Sequence, residues 1–184
     1  MAIDPSSPRA FYDLQTDLAN CILPLFSPQP ARICRNAAGI VGWNNCCPSD
    51  PAAGPGGQFV VSWQRDFYSQ DGRNEVSFIN DDAECPVNLF VGSEFVINIM
   101  RCSKAMEQDG TAPDCAIVAA EALQARLDAS AVRRGVICCL TPLLDQGLSS
   151  FQLLPTIAAG AGGGCVGSDT IVRLYLPNCL PCEV

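Results

Sequence analysis

Twelve cysteines and not one histidine constrain this sequence more than any other feature. Without imidazole, no Ser-His-Asp or Cys-His couple can form within the chain. HExxH zinc sites and Cys₂His₂ fingers are excluded for the same reason, as is a histidine pH switch. The cysteines are not required to make a chain this long fold. At 184 residues a single domain buries about 70% of the surface its unfolded chain exposes.

The cysteines fall at Cys21, Cys34, Cys46, Cys47, Cys85, Cys102, Cys115, Cys138, Cys139, Cys165, Cys179 and Cys182. All but Cys115 are taken as candidate disulfide or structural positions. An even count suits full pairing, but connectivity is not readable from spacing. Disulfides need an oxidising setting. Yet Met1–Ala10 (MAIDPSSPRA) lacks a cationic cluster ahead of an apolar stretch and does not read as a signal peptide. Metal binding, buried free thiols, or oxidation after release by lysis would each resolve this tension. Metal is the weakest: Cys179-Leu-Pro-Cys182 is a single CxxC, and the doublets Cys46-Cys47 and Cys138-Cys139 lack zinc spacing. A buried free cysteine is simply a small apolar residue. Members of a doublet on a strand point to opposite faces, so each is expected to find a different partner. No metal and no cofactor is expected.

Charged residues make up 16% of the chain, low against the usual quarter or so. Part of the surface is therefore expected to be covered, most simply by copies of the same chain. Ten arginines and one lysine face 19 acids, for a net charge of −8. That opposes a surface that grips nucleic acid, which needs clustered cations. No stretch approaches the roughly 18 apolar residues of a membrane-spanning helix.

Along the chain, residues 1–9 read as a loose arm. Residues 10–26 carry Phe11, Leu14, Leu18, Cys21 and Leu25 at helical spacing, with Pro24 disturbing the last turn. Residues 31–57 are punctuated by Gly, Pro, Asn and Cys, with no helix or strand read in them, and Pro48–Gly57 reads as a flexible connector. Gln58–Tyr68 alternates as a strand, with Phe59, Val61, Trp63, Arg65 and Phe67 on one face. A short strand and loop are expected over 75–86. Val87–Cys102 is the strongest strand, with Phe95, Ile97 and Ile99 sharing a face and Gly92-Ser93 marking an irregularity. A capping box at Thr111–Asp114 opens the clearest helix, running to Leu140 with a break at Gly135. Ala120, Leu123, Leu127 and Ala131 line one face and Glu121, Gln124 and Asp128 another. Residues 151–157 and 169–176 are a closing strand pair around a Gly-rich loop, 158–167.

Little in this pattern carries chemistry. The Gly-rich loop lacks the Gly-Lys-Ser/Thr of a phosphate cradle and leads into a strand, so a hairpin loop is expected. Asp81, Asp82 and Glu84 do not form an EF-hand pattern and suit a solvated turn. A cysteine nucleophile would lack its base. No catalytic residues are expected.

Several motifs, taken in order, resemble a family of actinobacterial siphophage proteins described as head-to-tail connectors or tail terminators. Those motifs are the N-terminal helix with Cys21, and Cys34 followed by Trp43-Asn44-Asn45-Cys46-Cys47. Then come Gly57-Gln58-Phe59-Val60-Val61, the isolated Cys85, and the strand ending Met100-Arg101-Cys102. The helix ending Ile137-Cys138-Cys139 and Gly162-Gly163-Gly164-Cys165-Val166-Gly167 complete them. The likeness runs from about Ala10 to Pro177. Asn45 replaces the family's usual acid, and the tail with Cys179 and Cys182 is outside the pattern. The resemblance implies an α+β fold: a mixed or antiparallel β-sheet with an N-terminal helix and one long helix packed on it. It implies one domain over 10–177, an arm over 1–9 and a Cys-containing tail over 178–184. It also implies a homohexameric ring at the head–tail junction of the virion, made in the host cytoplasm. The ring would touch a stopper or neck protein on one side and the major tail-tube protein on the other. Double-stranded DNA would pass through the lumen without specific binding, repelled by six acidic copies. No membrane is involved. Oxidation after lysis would then give at least two disulfides in mature particles. Another neck component, stopper or adaptor, is the nearest alternative; a disulfide-stapled extracellular binding module is the alternative from another class.

Overall fold

A computed structural model describes Ile3, Ser7, residues 9–39, Cys47, residues 56–76, 89–103, 114–162 and 164–177. Thr111, the Asp81–Glu84 segment, Cys46, Cys85, Cys179, Cys182 and the tail over 178–184 lie outside the described residues, as does most of the 1–9 arm. The described residues form a mixed sheet of six strands with two α-helices against one face, an α+β fold.

Helix α1 spans Ala10–Ile22 and buries Leu14, Leu18 and Ile22, one residue per turn along a single stripe. Pro24 ends it: a single 3₁₀ turn, Leu23–Leu25, follows, because proline offers no N–H to continue the α pattern. Gln15 is buried with the stripe and donates to the carbonyl of Val61 at 2.7 Å, tying α1 to the sheet.

The strands are β1 (Arg32–Ala38), β2 (Gln58–Ser69), β3 (Glu75–Val76), β4 (Phe90–Cys102), β5 (Ser150–Gly162) and β6 (Cys165–Pro177). Their order is β1-β2-β4-β6-β5, with β3 paired to β2. β1 runs parallel to β2 and every other pairing is antiparallel. β1 lies in the punctuated stretch 31–57, where the sequence offers no strand signal. It is an edge strand with no fully buried residue, so the apolar alternation that marks a strand is missing. Its polar side chains reach α1 instead: Asn36 donates to Thr16 and Arg35 to Asn20, each at 2.6 Å.

β2 carries a register shift between Trp63 and Arg65. The side-chain period is two, so one extra residue reverses the faces beyond it. Phe59 and Val61 point into the helix-side core. Arg65 and Phe67 lie opposite Glu94 and Gly92 on the other face, not with Phe59 as the alternation alone implies. There the Phe67 ring lies edge-on to Tyr175, 5.6 Å between centroids. A Cβ on Gly92 would collide with the Phe67 ring, so this position admits only glycine.

β4 is one uninterrupted strand of 13 residues, and its Phe95, Ile97 and Ile99 share the helix-side core. The closing hairpin corrects another expectation. The Gly-rich segment is strand up to Gly162 and again from Cys165, with Gly164 in a turn and Gly162 opposite Cys165. Gly167 lies so close to the Ile99 carbonyl and the Met100 sulfur that a side chain would overlap them. At Gly167 the missing side chain is what lets the strands pack.

Helix α2 spans Cys115–Leu140 and continues through Gly135 without the expected break. A Cβ at Gly135 would stand 2.9 Å from side-chain atoms of Ile22 and Leu25, so this glycine is a close-packing point between helices. Asp114 caps the helix by accepting from the Ala116 N–H at 2.9 Å, the Ncap role that the capping box assigned to Thr111.

Candidate assembly surface and disulfide framework

Two disulfides join described cysteines. Cys21, in the last turn of α1, is bonded to Cys139, in the last turn of α2, across 118 residues of sequence. Cys47 is bonded to Cys102 at the end of β4, across 55 residues. Both bonds close long loops, where cross-linking restricts the unfolded chain most. Cys165 is disulfide-bonded too and fully buried. It faces Cys102 in strand register, yet Cys102 takes Cys47 as its partner. Cys34, Cys115 and Cys138 are free thiols. The described doublet departs from the expectation of a partner for each member: Cys139 is bonded, but Cys138 is free and exposed, and both lie on a helix. Cys34 lies inside β1, not ahead of the first strand. Among the described residues, no group of three or more Cys, Asp or Glu could hold a metal ion.

The second feature is α2 itself. From Cys115 to Leu127 none of its residues is buried. Yet this half reads CAIVAAEALQARL, with two charged residues. Ile117 and Val118 are exposed, and Leu123 and Leu127 are 59% and 55% exposed. Of the apolar face of Ala120, Leu123, Leu127 and Ala131, only Ala131 is buried. Among the described residues, α2 joins the core through its second half, with Ala131, Val132, Val136 and Leu140, while in the first half Glu121 accepts from the Ser103 hydroxyl at 2.8 Å. The polar face of Glu121, Gln124 and Asp128 turns inward. Asp128 is 3% exposed and accepts from Arg101 Nε at 2.8 Å and Nη2 at 3.0 Å, and from Gln124 at 3.0 Å. Arg101 Nη1 is buried without a partner. Sequence reading missed this pair because Arg101 and Asp128 are 27 residues apart on different elements. The one available signal was an arginine directly after the apolar run Ile99-Met100 near the end of β4.

Further along the same outer surface, Arg126, Arg133 and Arg134 border a shallow depression floored by Ala129, Ile137 and Cys138. All three arginines are exposed and, among the described residues, none is in an ion pair. On the opposite face of the sheet, Glu94 holds Arg173 at 2.7 Å and Arg65 at 3.6 Å. Both guanidinium carbons lie 5.5 Å from the centroid of the Phe67 ring. Half-buried Asp169 accepts from Asn98 on that face, and burial raises its carboxyl above the usual range. No helix of the described residues is long and apolar enough to cross a membrane. No protein-family model matches the chain, and no curated protein is significantly similar to it in sequence.

Proposed function

We propose that the chain is a structural virion protein of a tailed phage and acts by assembling with copies of itself at the head–tail junction. The carrying observation is the outward apolar half of α2. Four large exposed apolar side chains, Ile117, Val118, Leu123 and Leu127, on a helix half that buries nothing are more than a soluble surface usually scatters, and such surfaces mark interaction sites. The motif order that resembles connector and terminator proteins supplies the setting. On this reading the chain forms a homohexameric ring that ends the tail tube. It meets a stopper or neck protein on one side and the tail-tube protein on the other. DNA passes through an acidic lumen, and the protein catalyses nothing. A stopper or adaptor position in the same neck is the neighbouring reading.

The disulfides favour this over a secreted binding module. A secreted module is expected to pair its cysteines fully, whereas three of the described cysteines are free. Oxidation of a cytoplasmic protein after lysis accounts for a mixture. Sedimentation velocity of the purified chain, with electron microscopy of the product, is the test. A discrete ring of six copies is expected. A chain that remains a monomer at every concentration would overturn the reading.

A further inference from the structure

The proposed ring needs two different surfaces, and the described residues offer a matched pair. We infer that the outer face of α2 on one copy docks on the outer face of α1 and the 3₁₀ turn after α2 of a second copy. This rests on the self-assembly proposed above and names its contact. The first surface joins exposed Leu123, Leu127 and Ile137 with Arg126, Arg133 and Arg134. Three unpaired guanidiniums on a chain of net charge −8 are a local reversal of sign. They also oppose packing of this face on itself, because a two-fold contact would bring like charges together.

The second surface has the same mixed character with the opposite charge. Asp13 and Asp17 lie one turn apart on the exposed stripe of α1. Asp145 is exposed in the 3₁₀ turn Thr141–Gln146 that follows α2. Among the described residues none of these acids is in an ion pair. Two exposed apolar side chains accompany them, Tyr12 at 51% and Leu144 at 40%. The nearby cations are otherwise engaged: Arg9 lies over the Tyr12 ring and Arg35 donates to Asn20. An apolar-basic face thus meets an apolar-acidic face. Such a contact is heterologous, the kind that closes into a ring when its rotation permits.

Two charge-reversal variants test this. One carries Arg126→Glu, Arg133→Glu and Arg134→Glu; the other carries Asp13→Lys, Asp17→Lys and Asp145→Lys. Each alone faces like charge at every contact and is expected to sediment as the 19.5 kDa protomer, with an unchanged circular dichroism spectrum. Mixed one to one and alternating, the two variants bring opposite charges together at every contact, the reversed α2 face on the reversed acidic face and the native α2 face on the native acidic face. Mixed species heavier than the protomer are therefore expected to return. Either variant assembling alone as the wild type does overturns this contact and leaves self-assembly standing. So does failure of the mixture while both variants remain folded. A wild-type chain that does not assemble overturns both.

Discussion

The two halves of α2 have similar composition and opposite fates. Cys115–Leu127 and Asp128–Leu140 are both rich in Ala, Leu, Val and Ile. The second half buries Val132, Val136 and Leu140 completely, while the first buries nothing. The difference lies beneath the helix. The second half is seated on the sheet and α1, whereas among the described residues the first half adds nothing to that core. A helix that is apolar on several faces is one that is covered from several sides. Here the chain supplies one side and, on our proposal, other copies supply the rest. The Arg101–Asp128 pair stands where the seated half begins.

The sharpest way to break this contrast is at that junction. Asp128→Ala leaves Arg101 as an uncompensated buried charge and is expected to destabilise the protomer by about 3–5 kcal/mol. Urea unfolding checks it; a loss under about 1 kcal/mol would mean that water reaches Arg101 and the seated half begins further along. Next, Cys139→Ser removes the staple to α1 and should cost about 2–5 kcal/mol, with wild type and variant unfolding alike in reductant. Cys115→Ser, in the uncovered half, should change stability by less than about 0.5 kcal/mol.

Gly135→Val tests packing of the seated half against Ile22 and Leu25. Overpacking is expected to cost about 1–3 kcal/mol, read as a lowered thermal midpoint. A control away from α2 comes from Asp169, whose folded carboxyl is raised by burial. The folded state therefore holds its proton more tightly. Its contribution to stability is full below the ordinary carboxylate range and is lost as pH rises through the raised value. Asp169→Asn should accordingly gain on the wild type at neutral pH, and the gap should close in acid. Asp71 has the opposite sign. The backbone N–H groups of Asn74 and Arg73 lower its pKa, so its contribution disappears as pH falls. The smallest stability change belongs to the uncovered half: Leu123→Glu with Leu127→Glu should move protomer stability by no more than about 0.5 kcal/mol per site. The same pair should abolish assembly in sedimentation, and unaltered assembly would remove the exposed half of α2 from the interface.

Elements with their own periodic signal are legible in the amino-acid order. The Leu14–Leu18 stripe of α1, the Phe95–Ile97–Ile99 face of β4 and α2 up to Gly135 follow from spacing alone. β1 is not, because an edge strand that buries nothing need not alternate. Nor is the extent of the final hairpin. Glycine and alanine read as loop, yet here they are strand, and Gly167 answers a demand for close backbone approach that β4 makes across the sheet. The face reversal in β2 depends on one extra residue, and no local pattern counts it.

By itself the sequence determined what chemistry is absent, since a chain without histidine can build no imidazole-based site. It also determined that cysteines were available for oxidation and where the strongly periodic helices and strands would lie. Tertiary structure alone decided which cysteines meet, which of the described ones remain free thiols, and which side of α2 is covered. Disulfides and burial depend on the distance between residues far apart in sequence. Periodicity reports only the turn-to-turn geometry of one segment, so it finds an apolar face without saying what lies against it.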